Sequence, residues 1–105
     1  MPFNESLAVR LRVLLPDAVE RRMFGGVGWM ERGHLIAGVS HDDLIVRVPP
    51  DETARWLRSP GAKPMMEGRA MKGWLKVSVR ALDDPRALVR WVERSRAATR
   101  TLPPK

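Results

Sequence analysis

The stretch VERRMFGGVGWMERGHLIAGVSHDDLIVRV, residues 19–48, decides the fold of this chain. It is rich in Val, Ile, Gly and aromatic residues, which favour β-strands and the close approach of neighbouring backbones. Two short polar turns, 31–33 and 41–43, divide it, and loops this short connect antiparallel neighbours. The sequence therefore predicts a meander of three strands over residues 19–30, 34–40 and 44–50.

Helical patterns flank this stretch on both sides. Asn4 is a predicted N-cap, and Pro16 ends the helix that follows, because the residue before a proline avoids the helical region. Asp84-Pro85 starts a last helix with a capping acid and a proline at the first helical position. The predicted buried stripes are Leu7, Leu11, Leu14 and Leu15 in the first helix, and Leu88, Trp91 and Val92 in the last.

A shorter helix and a further strand lie between the meander and the last helix. Asp51 is predicted to cap a helix over residues 51–58 that turns Ala54 and Leu57 inward. Residues 74–79 alternate as a strand, and the segment before them is irregular or contains a short strand. The predicted order is α-β-β-β-α-β-β-α. An antiparallel sheet with its helices on one face, a two-layer α+β fold, buries such a pattern.

Length and composition limit the class of protein. A chain of 105 residues is the size of one domain, predicted to span residues 1–105 with an ordered core at 3–101 and a tail at 102–105. The absence of cysteine excludes disulfides and thiolate chemistry. No segment approaches the roughly 20 apolar residues of a membrane span, and Arg10 and Arg12 interrupt the only signal-like start. The sequence therefore predicts a soluble, cytoplasmic protein with no membrane partner.

Two motifs carry a family resemblance. The first is RMFGGVGWM at residues 22–30, which leads into GHLIAGV at residues 33–39. The second is GRAMKGWLKV at residues 68–77. In this order and spacing they resemble the TfoX N-terminal-domain family, which is named for bacterial regulators of natural competence. The resemblance covers almost the whole chain and implies a fold of the α-β-β-β-α-β-β-α type.

The resemblance has two departures. Ala70 stands where many relatives have proline, which loosens a turn without changing the fold. Competence regulators also carry a second, helical domain, and we expect none in this sequence, so the resemblance does not predict a role in transcription. The resemblance brings no catalytic residue to any position of this chain.

The glycines Gly25, Gly26 and Gly28 suggest a phosphate-binding loop only at first sight. Such a loop needs a helix after the glycines, so that its N-terminal N–H groups face the anion. Strand-like residues follow them here. We therefore interpret the glycines as a kink or bulge in the sheet.

The chain offers little for catalysis or metal binding. His34 and His41 lie at opposite ends of a predicted strand, which separates their Cα atoms by roughly 20 Å, too far to share one metal ion. Asp42 and Asp43 fit a turn, and no serine has the context of an activated nucleophile. The methionines favour a core or an interface over a copper site. The sequence predicts no catalytic residue, no metal site and no cofactor.

Six residues form the predicted interaction surface. Arg69, Lys72 and Trp74 place two cations beside an aromatic ring in a glycine-flanked loop, which suits phosphate, a stacked base or a protein partner. The alternative is that Trp74 packs into the core and the two cations are merely solvated. The other three are arginines at steps of four on the last helix: Arg86, Arg90 and Arg94.

The net charge of +7 favours polyanionic partners, although it can equally serve solubility. No nucleic-acid-binding motif accompanies the arginines. We therefore predict a non-catalytic interaction or regulatory module that forms a homodimer, because a sheet with one helical face leaves the other face or its edges to be covered. The alternative is sequence-independent binding to DNA or RNA through the last helix and the Arg69–Lys72 loop.

Overall fold

The computed structural model describes residues 3–23, 25–66, 68 and 71–104. Four consecutive strands follow the first helix, and the α+β class predicted from the sequence is confirmed. The elements are α1 (Glu5–Leu14), β1 (Val19–Met23), β2 (Gly26–Glu31), β3 (His34–Ser40), β4 (Asp43–Arg47), α2 (Thr53–Trp56), β5 (Ala62–Lys63), β6 (Trp74–Ser78) and α3 (Pro85–Arg100).

All six strands form one antiparallel sheet in the order β1-β2-β3-β4-β6-β5. The first four strands are consecutive neighbours, as short loops dictate. The chain then leaves the sheet through α2 and returns as β6, which pairs with β4 so that Arg47 stands opposite Trp74. The two-residue strand β5 occupies the outer edge beside β6.

The meander has four strands where the sequence predicted three. The run 19–30 folds back on itself, because Gly25 adopts φ +73° in a tight turn and Met23 pairs with Gly26. This positive φ favours glycine, since a Cβ would crowd the backbone. The predicted kink is therefore a hairpin, and the order gains one strand. Phe24 lies outside the described residues.

Both long helices begin where the sequence predicted. The Asn4 side-chain oxygen accepts a hydrogen bond from the Leu7 N–H at 2.9 Å, and the Asp84 carboxylate accepts one from the Arg86 N–H at 2.9 Å. Each cap satisfies a backbone donor that has no partner inside its helix. Pro85 occupies the first helical position of α3, as predicted.

The middle helix differs from the prediction. A 3₁₀ turn over Pro50–Glu52 precedes a single turn of α2, and neither has a side-chain cap, so Asp51 does not cap a helix. The buried residue is Thr53, whereas Ala54 is exposed. The Thr53 hydroxyl donates to the Pro50 carbonyl at 2.8 Å and accepts from the Gly73 N–H at 2.7 Å. These bonds fix α2 to the turn that precedes β6.

The helices pack on one face of the sheet and enclose the core. Alternate residues of the strands face the helices, and the predicted stripes of α1 and α3 cover them. The buried strand residues include Val27, Trp29, Ala37, Val39, Leu44, Val46, Leu75 and Val77.

Ser95 joins α3 to the centre of the sheet. Its hydroxyl accepts a hydrogen bond from the Arg47 N–H at 2.8 Å and donates a short one to the Ile36 carbonyl. The pairing of β2 with β3 shifts by one residue between Trp29 and Met30, which leaves Ile36 without a partner in the register. Ser95 is fully buried, so it satisfies two backbone groups that water cannot reach.

Candidate interaction surfaces

The three predicted arginines of α3 have different environments. Arg86 is exposed and pairs with its own N-cap, Asp84, at 3.4 Å. Arg90, one turn further along, is exposed. Arg94 is half-buried, with its guanidinium carbon 3.7 Å from the ring centroid of Trp56. The four-residue spacing predicted a row of equivalent cations. In the structure each of the three arginines has a different environment.

Two arginines further along α3 share one carboxylate of the sheet. Arg96 and Arg100 reach the Glu31 carboxylate at 2.8 and 3.1 Å. Hydrogen bonding by Arg100 lowers the pKa of Glu31 below its ordinary value, and Arg96 acts in the same direction against the effect of burial. Glu31 therefore stays ionised at neutral pH, and these two cations hold the end of α3 to β2.

An aromatic cluster surrounds Arg94. The rings of Trp56 and Trp91 meet edge to face, with centroids 6.1 Å apart and an interplanar angle of 71°. The Arg94 guanidinium lies 3.7 Å from the first centroid and 4.6 Å from the second. Arg55 approaches the ring of Trp56 as well, at 4.7 Å. These contacts are cation–π interactions, so the tryptophans join α2 to α3 and concentrate positive charge between them.

The predicted loop is only partly described. Arg69 and Ala70 lie outside the described residues. Lys72 is exposed in the turn before β6 and lines a cleft with Asp51 and Ala54. Its place is thus beside the start of α2, and not beside the arginines of α3.

Trp74 is half-buried and does not belong to the core. The guanidinium of Arg47, its partner across the strands, lies over the indole ring at 4.1 Å. Burial lowers the pKa of this guanidinium. Since Leu75 and Val77 face the helices, Trp74 and the other alternate residues of β6 face away from them. The structure therefore places Trp74 and the α3 arginines on opposite faces of the sheet, and the six predicted residues do not form one surface.

The face of the sheet away from the helices, here called the open face, holds an apolar cavity of about 400 Å³. Its lining comes from β3, β4, β6 and the segment between β5 and β6. Two strand patterns in the sequence bear on it: Ile45 lies between Leu44 and Val46, and Trp74 precedes Leu75, so both apolar side chains face away from the core. Met65 and Met71 lie in a segment without such a pattern. The lining residues are Leu35, Ser40, Ile45, Met65, Met71, Trp74 and Lys76.

The two histidines have unrelated surroundings. His34 is the first residue of β3 and is buried, with Nε2 2.6 Å from the Pro103 carbonyl oxygen. His41 is exposed in the next turn at φ +54°, with Nδ1 3.2 Å from the Ser40 hydroxyl. His34 therefore begins β3, as the predicted strand over residues 34–40 has it, and the end of the chain contacts its ring. The described residues contain no cluster of three or more His, Cys, Asp or Glu side chains that could hold a metal ion.

The fold defines a class: a small α+β domain whose six-stranded antiparallel sheet carries its helices on one face. Within the described residues, no helix is both long and apolar enough to cross a bilayer. The chain matches the TfoX N-terminal domain over residues 11–99 and therefore belongs to this family, as the two motifs indicated. No curated protein and no solved structure matches it significantly.

Proposed function

We propose that this TfoX N-terminal domain is a non-catalytic interaction module that forms a homodimer through its open face. The observation that carries the proposal is the apolar cavity between β3, β4 and the segment before β6. Apolar surface of this kind on a soluble domain marks a binding site. A cytoplasmic, regulatory role fits a cysteine-free chain of this family and stays a prediction.

Methionines of the segment before β6 support a protein partner. Met71 lines the cavity and is 47% exposed, and Met66, which follows the lining residue Met65 in the sequence, is 58% exposed. Methionine is flexible and polarizable, so it adapts to a second surface without a fixed shape. A two-fold axis at this face would bring the methionines of one copy onto the cavity of the other.

Charge at the same face predicts an unusual salt dependence. Arg21 and Lys76 lie in one row across the sheet, on either side of Gly28, Gly38 and Ile45. In a homodimer through this face these cations approach the cations of the other copy and repel them. Because salt screens exposed charges, the dimer should be stronger at high ionic strength.

The dimer is tested by multi-angle light scattering of the whole chain at about 50 µM protein, a concentration at which mass action favours association. We expect the mass of a dimer, and a larger dimer fraction at about 500 mM salt than at about 50 mM. Met71→Asp should weaken the dimer by about tenfold or more, because a carboxylate would be desolvated at the interface. The matched control is Val13→Asp on α1, where the side chain is 73% exposed and the dimer should persist.

A wild-type monomer at both salt concentrations would contradict the dimer. Equal dissociation of the Met71→Asp and Val13→Asp variants would instead move the interface away from the open face.

Nucleic-acid binding is a second candidate function, supported by the charge gathered at Trp56. Burial lowers the pKa of the Arg94 guanidinium, and the positive charges of the nearby Arg90 and Arg55 lower it further. The net charge of the chain is +7. Such a patch attracts a phosphate backbone without reading its sequence.

The second candidate is tested by fluorescence anisotropy with labelled duplex DNA and single-stranded RNA at about 50 and 200 mM salt, where affinity for a polyanion falls steeply. We expect the double variant Arg55→Ala/Arg90→Ala to lose most of the binding. The control Arg21→Ala/Lys76→Ala removes the same charge from the opposite face and should bind nearly as well as the wild type. Equal losses in both pairs would show that only net charge matters, and this would contradict the proposed surface.

A further inference from the structure

A small cleft opens between α3 and the turn that follows α2, next to the aromatic cluster of Trp56 and Trp91. Its volume is about 200 Å³. This is below the roughly 300–1,000 Å³ of sites that enclose a whole drug-sized ligand. It suits one compact group of a ligand and the waters around it. The lining residues are Ser59, Pro60, Ala81, Ala87, Arg90, Trp91 and Arg94.

The Arg94 guanidinium in this cleft is held in place before any ligand arrives. Trp56 and Trp91 contact it from two directions, with centroids 3.7 and 4.6 Å from the guanidinium carbon. The Trp56 ring is itself fixed, because its Nε1–H donates to the Glu52 carboxylate at 2.9 Å. A planar guanidinium held against aromatic rings loses little conformational freedom when it binds an oxyanion.

The positive charge of this guanidinium is not neutralised by an ion pair. Among the described residues, no carboxylate lies within salt-bridge distance of Arg94, whereas Arg12, Arg96 and Arg100 each have one. Burial lowers the pKa of Arg94, and the neighbouring cations Arg90 and Arg55 lower it further, while the charge of Glu52 opposes them with a smaller effect. An anion in the cleft would relieve this repulsion, and a doubly charged one would relieve it most.

We propose that the cleft binds a phosphate group, with Arg94 and Arg90 as its charged ligands and the Ser59 hydroxyl as a neutral donor. Guanidinium groups bind phosphate through pairs of parallel N–H···O bonds, which also fix its orientation. The opening of the cleft leaves the rest of the ligand in solvent. The phosphate can therefore belong to a small phosphate monoester or to a nucleic-acid backbone, and neither choice requires a dimer.

The site is tested with inorganic phosphate, followed by the indole N–H signal of Trp91 in ¹H–¹⁵N NMR spectra of the whole chain. We expect a saturable shift in the millimolar range that chloride at equal ionic strength does not produce. Arg90→Ala should weaken phosphate binding by about tenfold, since a charge-assisted hydrogen bond is lost. The matched control is Arg86→Ala, an exposed arginine one turn earlier on the same helix, which should bind phosphate as the wild type does.

Two further titrations identify the source of the phosphate. The site would be assigned to small monoesters by two results together. A nucleoside 5′-monophosphate would bind more tightly than inorganic phosphate, and duplex DNA would give no shift that depends on Arg90. Duplex DNA that produces the Trp91 shift, and loses it in Arg90→Ala, would assign it to a nucleic-acid backbone. The absence of a phosphate-specific shift in the wild type overturns the proposal, as does an equal weakening by Arg86→Ala and Arg90→Ala. Failure of duplex binding alone contradicts only the nucleic-acid candidate.

Discussion

Replacement of Ser95 by alanine should lower the free energy of unfolding by about 3 kcal/mol, because each buried backbone group left without a partner costs about 1–3 kcal/mol. The groups at risk are the Arg47 N–H and the Ile36 carbonyl, which share the Ser95 hydroxyl. The site is fully buried, so water cannot replace the missing oxygen without opening the packing between α3 and the sheet. Urea unfolding of both proteins measures the difference.

Ser6→Ala is the matched control for this change. It removes the same hydroxyl from an exposed position in the first turn of α1, where the effect should stay within about 0.5 kcal/mol. Amide hydrogen exchange adds a local measurement: the Arg47 N–H should exchange faster in Ser95→Ala than in the wild type. The hydroxyl does not hold α3 to the sheet if Ser95→Ala is as stable as Ser6→Ala and the Arg47 N–H exchanges at the wild-type rate.

A methyl group at Gly26 should destabilise the domain by about 3 kcal/mol or more, at the upper end of what overpacking costs. The added Cβ would stand 2.0 Å from the Val39 carbonyl oxygen and 3.1 Å from its carbon, so β2 and β3 would have to separate. The φ angle of Gly26 is not positive, and the effect is therefore steric, without a contribution from an unusual backbone conformation.

Gly28→Ala is the matched control, because its added methyl group clashes with side chains and not with the backbone. Its Cβ would meet Leu35 Cδ1 at 2.6 Å and Met23 Sδ at 3.1 Å, the far ends of two flexible side chains that can move aside. We expect a loss near 1 kcal/mol for Gly28→Ala, the lower end of the same range. Urea unfolding measures the free energy of unfolding of both variants. An equal loss in Gly28→Ala and Gly26→Ala would contradict this account.

The candidate sites were less predictable than the fold, and Arg94 shows why. The four-residue spacing of Arg86, Arg90 and Arg94 correctly placed them on one helix, yet it treated them as equivalent solvated cations. Their different roles depend on which side chains come from other parts of the chain. Trp56 is 38 positions from Arg94 in the sequence, since 94 − 56 = 38, and no local pattern relates the two.

The apolar cavity on the open face was missed for a similar reason. Met65 and Met71 lie in a segment without helical or strand periodicity, so no pattern assigned them to a face of the sheet. Ile45 and Trp74 carried a signal, because each is apolar at a strand position that alternates with core residues, where a half-buried strand should present a polar one. Trp74 was linked to the arginines by composition, and strand alternation instead turned it to the opposite face.

The amino-acid sequence by itself determined the α+β class, the capped starts of α1 and α3, their buried stripes and the family. Each of these depends on interactions within a few residues: a cap, a proline, a period of 3.6 or 2, or a short motif. Tertiary structure decided the hairpin at Gly25, the attachment of α3 through Ser95 and the neighbours of every arginine. These features depend on contacts between residues far apart in the chain, and such contacts exist only once the sheet has brought them together.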